Sequence, residues 1–314
     1  MKKILVLFVC VACTLAVNGQ QLLFPNSNLR VALSPGATGV EEQVFSCYQG
    51  SFSNFGGTKT NTVLTGFDKL YRYNIASGFM LRSQLSEFWN HHTLQIPLAV
   101  HVRVLRSAYL SVGFAPELQI IDVTSFDDWF REHYHDPMLL RAGRNHTNVN
   151  LSLGLSFNSP FYFLDLGAQQ VLSLPVRLDE SLYEPEPCYV VHTGGKIPFG
   201  KSVFLRPSVA AQGTVDPLLY VVEPGIALSY RGRFSAGYSL LISDFEDNKS
   251  FVHKTRIRVR TLDHVVLSVA YLIGDSWLYS YSQGTFQLGI TFDLKRSTTN
   301  IPPSSIRGGE KVEE

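Results

Sequence analysis

The sequence predicts an all-β protein, a transmembrane antiparallel up-and-down β-barrel of about 14 strands (12–16) in an outer membrane. Three observations predict this class. The composition is rich in aromatic residues and glycine, long segments alternate strictly in polarity, and the connections between these segments alternate between short and long. No helical period competes over comparable lengths.

The composition excludes several other classes of protein. The 314 residues are 45% hydrophobic and only 17% charged, which excludes a disordered chain. A net charge of +1 gives no general affinity for nucleic acid. Beyond the N-terminus, no apolar run approaches the roughly 20 residues that a membrane-spanning helix needs. With 14 Tyr, 21 Phe and 24 Gly, the composition favours β-structure.

The N-terminal segment has the pattern of a secretory signal peptide. Two lysines precede the apolar stretch 4–17, and small and polar residues follow it. We expect cleavage after Gly19, so that residues 1–19 are the signal peptide. A lipoprotein signal would need Cys10 or Cys13 at its cleavage site, and both cysteines lie too early, inside the apolar stretch.

Alternation of apolar and polar residues is strongest over 94–104, 149–157 and 286–294, with Pro97 as an exception. Strands with this period of two place apolar side chains towards lipid and polar ones towards the lumen. The same rule predicts fourteen strands over 44–53, 61–68, 71–84, 92–104, 108–122, 148–157, 161–171, 186–196, 202–213, 218–230, 233–242, 253–262, 265–273 and 284–294.

The connections support a barrel rather than a soluble periplasmic β-sandwich, which also alternates but has no reason to separate short from long loops. Every even-to-odd connection is short, whereas most odd-to-even connections are longer, notably 123–147, 172–185, 243–252 and 274–283. This asymmetry predicts a barrel over 20–294 with both termini in the periplasm. The tail 295–314, rich in Pro, Gly, Ser and charge, is predicted to be disordered in the periplasm, where it is a candidate contact arm.

A row of basic residues shares one face of the twelfth predicted strand. The row consists of Lys254, Arg256, Arg258 and Arg260. Facing lipid at mid-depth, each residue would cost roughly 2–4 kcal/mol, so we expect the row to face the lumen. The neighbouring strands offer it small or apolar residues and no carboxylate. Two interpretations remain: acids such as Asp244, Glu246, Asp247 or Glu117 neutralise the row, or the row forms a lumen wall that attracts anions or acidic peptides.

The long external connection 125–144 contains an aromatic cluster after a plausible helix start at Ser125. Its candidate contact residues are Trp129, Phe130, His133, Tyr134 and His135. Such a loop serves either as a plug over the barrel mouth or as a surface that contacts a partner.

The sequence contains no recognisable catalytic or metal site. His133, His135 and Asp136 lack the spacing of a defined metal site. Cys47 and Cys188 are compatible with a disulfide in an oxidising compartment but not with a metal centre. No serine is placed beside a histidine on the lipid-facing side, so we expect a non-enzymatic protein without a cofactor.

Four segments carry a resemblance to a known family. They are SPGATG (34–39), CYVVHTGGKIPFGKSVFLRPS (188–208), GIALSYR (225–231) and VAYLIGDSWLYSYSQGTFQLGITFDL (269–294). The chain resembles the PorP/SprF family, outer-membrane barrels of type IX secretion and gliding motility in Bacteroidota. The first segment has lost the family's Tyr, and Thr285, Phe286 and Gln287 replace a Ser-His-Glu motif. These departures indicate a divergent paralogue.

The resemblance implies a role in protein secretion rather than catalysis. A barrel of this family would support secretion or surface anchoring of a partner adhesin, so its partners would be outer-membrane lipid, type IX secretion or motility proteins and a secreted adhesin. The alternative from a different class is a passive channel for small anionic or hydrophobic solutes. The state of the lumen discriminates between them, since a channel needs a continuous wet path.

Overall fold

The structure is a computed structural model of the chain, and it describes residues 29–53, 60–71, 74–86, 89–105, 107–123, 146–175, 187–200, 202–214, 220–245, 248–274 and 282–294. Within these ranges no helix has the length and apolar character needed to cross a membrane. The predicted signal peptide, the predicted C-terminal tail and the aromatic cluster 129–135 lie outside the described residues.

Within the described residues, fourteen strands form one antiparallel sheet. They are β1 (Gln43–Ser53), β2 (Thr60–Leu70), β3 (Ile75–Ser86), β4 (Trp89–Gln95 and Leu98–Leu105), β5 (Ala108–Val123), β6 (His146–Asn158), β7 (Tyr162–Pro175), β8 (Cys188–Gly195 and Ile197–Phe199), β9 (Val203–Gly213), β10 (Tyr220–Tyr230), β11 (Phe234–Phe245), β12 (Asn248–Leu262), β13 (Val265–Gly274) and β14 (Ser282–Asp293).

Two strands are interrupted without loss of register. In β4 the break falls at Pro97, which has no N–H for the ladder, yet both halves pair with β3 and β5 in one continuous register. In β8 the break falls at Lys196, and both halves pair with β9 in the same register. The interrupted segments therefore count as single barrel strands, in agreement with the predicted number.

The sheet closes on itself. Each strand pairs with its neighbour in sequence, and β1 pairs with β14 from Gln43 opposite Asp293 to Ser53 opposite Ser282. Closure gives every described strand two partners, so no edge with unpaired N–H and C=O groups meets lipid. The transmembrane up-and-down barrel predicted from the alternation of polarity is confirmed.

Side chains alternate between lipid and lumen as predicted. In β5, Val112 and Phe114 are 56% and 46% exposed, whereas Ser111 and Ala115, which flank them in sequence, are 0% exposed. Outward positions on other strands are likewise mostly apolar and exposed, whereas inward positions are buried or half-buried and are polar, small or, in places, large and apolar. This is the pattern of a barrel with lipid outside and a filled interior.

The two ends of the barrel differ in their connections. At the end where the chain enters β1 and leaves β14, here called the turn end, the connections are short. The turn between β10 and β11 places Arg231 (φ 48°) and Gly232 (φ 62°) in the left-handed region, as a tight hairpin requires. At the opposite end, the loop end, one prediction was wrong: β11 and β12 continue to Phe245 and Asn248, so most of the predicted loop 243–252 is paired strand.

The segment before β1 lies inside the barrel. It contains the short helix α1 (Arg30–Leu33) and a 3-10 turn (Pro35–Ala37). Residues 29–42, here called the inner segment, are almost entirely buried.

Two substitutions at different depths on the outward face of β12 test whether this face meets lipid. Ile257, near the middle of the strand, is 52% exposed, and Leu262, at its turn end, is 67% exposed. We expect Ile257→Arg to lower the free energy of unfolding by about 2–4 kcal/mol and Leu262→Arg by about 0–1 kcal/mol, because a charge costs most at the bilayer midplane. Urea titration in lipid vesicles measures both values. An equal loss for the two variants would contradict this assignment.

Candidate functional site

The candidate site is the lumen, and the inner segment is its central feature. Leu29 and Val31 pack into a cluster with the wall residues Phe45, Cys47, Leu64 and Met80 of β1 to β3. Leu33 belongs to a second cluster on the opposite wall, formed by Val190, Ala210, Val221, Leu241, Val252 and Leu272 of β8 to β13. The helix therefore bridges both sides of the lumen with apolar side chains.

An ion pair holds the helix to β7. The guanidinium of Arg30 donates to both carboxylate oxygens of Asp165, with Nε 2.6 Å from Oδ2, and also to Ser156 Oγ at 3.1 Å. The guanidinium carbon lies 4.2 Å from the centre of the Phe163 ring, and both charged side chains are at most 1% exposed. A bidentate pair with this burial fixes orientation as well as contributing energy.

Hydrogen bonds attach the rest of the inner segment to three parts of the wall. Ser34 Oγ donates to the carbonyl of Leu166 at 2.8 Å, and the backbone N–H of Gly39 donates to Asp68 Oδ2 at 2.8 Å. His101 Nε2 donates to the carbonyl of Thr38 at 2.8 Å, while Ser111 Oγ donates to His101 Nδ1 at 2.6 Å. His101 is thus a bridge between wall and inner segment.

A row of glycines in the wall makes room for this backbone. Gly113, Gly154 and Gly167 lie side by side on β5, β6 and β7. A Cβ on Gly113 would overlap the carbonyl oxygen of Pro35, and one on Gly167 would overlap that of Leu33. Because the inner segment lies directly on the sheet here, only glycine fits.

The inner segment was missed in the sequence analysis, although SPGATG had been singled out as a family element. Two signals pointed to it. Arg30 stands in an otherwise apolar run before β1, and Asp165 is an isolated acid at an inward position of β7. Each charge needs a partner, but the two lie 135 residues apart, and only closure of the barrel brings them together.

The basic row lies on the inward face of β12. Lys254 is 1% exposed, and the three arginines beyond it are half-buried. The register places Ser239, Gly237 and Ser235 of β11 opposite Lys254, Arg256 and Arg258. On the other side β13 offers Leu272, Ala270 and Ser268. Immediate neighbours thus carry no charge.

Carboxylates reach the row from elements that are not adjacent to β12. Lys254 Nζ lies 3.3 Å from Glu223 Oε1 of β10, and Arg260 lies 3.0 Å from Asp293 of β14. Glu41 of the inner segment interacts electrostatically with Arg258.

Of the acids considered in the sequence analysis, only Glu117 has a side chain that the structure describes. Glu117 accepts a hydrogen bond from Ser152 Oγ at 2.8 Å and faces Arg82. The side chains of Asp244, Glu246 and Asp247 lie outside the part of the structure that is described.

A cavity of about 260 Å³ lies between the inner segment and the loop end. Its floor includes Ala32 and Leu33, and its walls are rich in glutamine, with Gln49, Gln95, Gln119, Gln169, Gln170 and Gln212. A bulge in β7, where Gln170 has φ 55°, turns two neighbouring glutamines into this cavity.

The remaining candidate residues form no reactive centre in the described part of the chain. Cys47 and Cys188 are free thiols, on β1 and β8, and do not form a disulfide. No group of three His, Cys, Asp or Glu residues within the described ranges has the arrangement of a metal site. The aromatic loop cluster stays a prediction, because it lies outside these ranges.

A closed antiparallel barrel with an apolar outer face and an occupied lumen defines an outer-membrane β-barrel protein. The sequence matches the family of type IX secretion system membrane proteins PorP/SprF over residues 20–292, and the chain belongs to this family. The resemblance inferred from the sequence motifs is thereby confirmed, and with it the outer-membrane location. A comparison with curated proteins found no match.

Solved structures with a similar fold include a hydrocarbon channel and an outer-membrane protein. The CymD monoaromatic hydrocarbon channel has a TM-score of 0.51 at 8% sequence identity, and the alignment covers 91% of this chain and 96% of that chain. Omp33 of Acinetobacter baumannii has a TM-score of 0.44 at 11% identity, covering 82% of this chain and all of that chain. The likeness to CymD concerns the fold.

Loss of the Arg30–Asp165 pair is expected to destabilise the protein and loosen the inner segment. Asp165→Asn leaves the guanidinium of Arg30 buried without a counter-charge, which costs about 3–5 kcal/mol. Denaturant titration measures this loss. In a background with Cys47→Ala and Cys188→Ser, a Val40→Cys thiol reports the position of the segment, since Val40 is 2% exposed. We expect Asp165→Asn to accelerate its maleimide labelling.

Asp263→Asn is the matched control for this pair, because Asp263 is an exposed turn residue that loses the same charge. It should change neither stability nor labelling. Slow labelling in Asp165→Asn, equal to that of the parent, would contradict the anchoring role of the pair.

The glycine row makes a separate prediction about packing. Gly113→Ala forces the sheet and the inner segment apart and is expected to cost about 1–3 kcal/mol, as overpacking does elsewhere. In Gly195→Ala, by contrast, the new Cβ lies 3.3 Å from its nearest neighbour, the carbonyl oxygen of Phe161, so the loss should be smaller. Thermal unfolding followed by the gel mobility of the folded barrel compares the two. Equal midpoints would rule out a tight contact at Gly113.

Proposed function

We propose that this protein is a non-enzymatic partner barrel of type IX secretion, with a lumen closed by its inner segment, that supports secretion or surface anchoring of a secreted adhesin. The observation that carries the proposal is the occupied lumen. Membership of the PorP/SprF family supports a role in type IX secretion. The particular role and the partner are the proposed part.

The interior of the barrel supports a closed state. Leu272 and Leu33 are each 1% exposed inside the lumen, within the apolar cluster formed with β8 to β13. A water-filled channel wall would leave such inward leucines wet, at a cost of roughly 1.5–3 kcal/mol for each side chain that could instead be buried. The part of the interior around Leu33 is therefore packed like the core of a soluble domain.

The alternative, a passive channel for small anionic or hydrophobic solutes, is less well supported. It requires a continuous wet path, and the inner segment contacts or clusters with wall strands around most of the circumference. The basic row, which was the strongest argument for anion passage, is partly neutralised by Glu223 and Asp293. The structural likeness to channels reflects the fold and carries no solute specificity.

The proposed orientation places the turn end in the periplasm, because outer-membrane barrels have short periplasmic turns and longer external loops. In that orientation β14 ends on the periplasmic side, and we expect the tail 295–314 to lie there, where secretion components are available as partners. The external connection 125–144, with its aromatic cluster, faces the cell exterior and is proposed as the contact surface for the adhesin.

A pull-down tests the proposed partner role. The tagged full-length chain is purified in mild detergent from the outer membrane in which it is made, and co-purifying proteins are identified by mass spectrometry. We expect a secretion-system component or one large secreted protein to be enriched over an unrelated tagged barrel of similar abundance. Variants lacking 295–314 or carrying Ala at Trp129, Phe130 and Tyr134 should each lose a partner on one side. Recovery of the barrel alone would contradict the proposal.

Conductance tests the closed lumen independently. In planar bilayers the wild-type protein is expected to show no steady open conductance, because the inner segment fills the turn-end half of the lumen. Asp165→Asn should show intermittent openings, since it weakens the attachment of that segment. A stable ohmic conductance of the wild type, unaltered by Asp165→Asn, would support the passive channel instead.

A further inference from the structure

A second, smaller cavity in the lumen wall gathers three arginines from two strands. Its volume is about 40 Å³, room for on the order of three water molecules. Arg206 of β9 and Arg256 and Arg258 of β12 line it together with Ser208, Ser235 and His192. Arg206 was not part of the basic row predicted from sequence, because it lies on another strand.

Small residues between the two strands allow the arginines to converge. Arg206 pairs with Ala227, Ala227 with Gly237, and Gly237 with Arg256, so the two arginines lie at the same height with only a methyl group and a hydrogen between them. One step closer to the turn end, Ser229 pairs with Ser235, and Ser235 pairs with Arg258. Small residues therefore lie beside this arginine as well. The long arginine side chains can therefore extend over these small residues and meet at the same cavity.

The negative charge around this cavity is smaller than the positive charge. Among the described residues, the carboxylates Glu41, Glu223 and Asp293 interact with the three arginines. Glu223 also accepts from Lys254, and Asp293 also pairs with Arg260. Within the described residues these three carboxylates thus interact with five cations, and the charges that act on Arg206 include Glu41 and three other arginines.

We propose that this cavity is a binding site for a small oxyanion of the phosphate or sulfate class. Guanidinium groups present planar pairs of N–H donors that match two oxygens of such an anion, and the hydroxyls of Ser208 and Ser235 supply further donors. The site faces the lumen and not lipid, so the anion comes from solution rather than from a lipid headgroup. Glu41 of the inner segment supplies part of the counter-charge and competes with the anion.

Isothermal titration of phosphate and of sulfate into the full-length detergent-solubilised protein, in a chloride background, tests the site. We expect saturable binding of both oxyanions to the wild type. Arg206→Gln and Arg258→Gln should each weaken it by about tenfold, which corresponds to loss of one charge-assisted contact. Glu41→Gln should tighten binding by about threefold to tenfold, because it removes a competing carboxylate.

The opposite effects of the arginine variants and of Glu41→Gln on affinity exclude misfolding as the cause, and an arginine outside the cavity controls for general electrostatic attraction. Arg233→Gln, at an exposed position outside the cavity, is the matched control and should leave the affinity unchanged. Gel mobility before and after heating verifies that each variant is folded. If an arginine variant fails to fold, Glu41→Gln still decides the question. Absence of saturable binding by the wild type, or weaker binding by Glu41→Gln, would overturn the proposal.

Discussion

The width of the closed barrel is the constraint on which the rest of the structure depends. About eight strands enclose a space that side chains alone can fill, whereas fourteen strands enclose considerably more. An unfilled interior would be a water-filled channel. Here the chain fills the space with its own residues 29–42, and the consequences appear in the wall as a glycine row, a buried carboxylate at Asp165 and an apolar layer on the opposite side.

The ion pairs of the basic row share one feature: each spans an intervening strand, because the residues beside the row on the adjacent strands include no carboxylate. Lys254 reaches Glu223 past Ser239, and Arg260 reaches Asp293 past β13. Long cationic side chains suit this arrangement, since their stems cover the small residues while their heads find distant partners. The same feature lets Arg206 approach Arg256, which concentrates positive charge at one place in the wall.

The closed interior connects fold to function. Porin-like barrels keep a polar, open lumen, and this barrel keeps a packed one with a polar cavity on the loop side. Hydrogen bonds of Arg30, Thr38 and Gly39 attach the inner segment to the barrel wall. Beneath part of the segment, the wall consists of glycines without side chains. Such a segment is held in position by orientation-specific bonds rather than by the ladder of a sheet.

Alternating polarity determined the barrel, its strand number and the inward direction of the basic row, because lipid outside and water or protein inside impose a period of two on each strand. Local turn residues such as Arg231 and Gly232 likewise determined the hairpins. Tertiary structure alone decided that residues 29–42 enter the lumen, that Arg30 meets Asp165, and that Arg206 joins the arginines of β12. The physical reason is that these contacts join positions far apart in sequence, and their geometry exists only once the sheet has closed and its register has set which residues share a level.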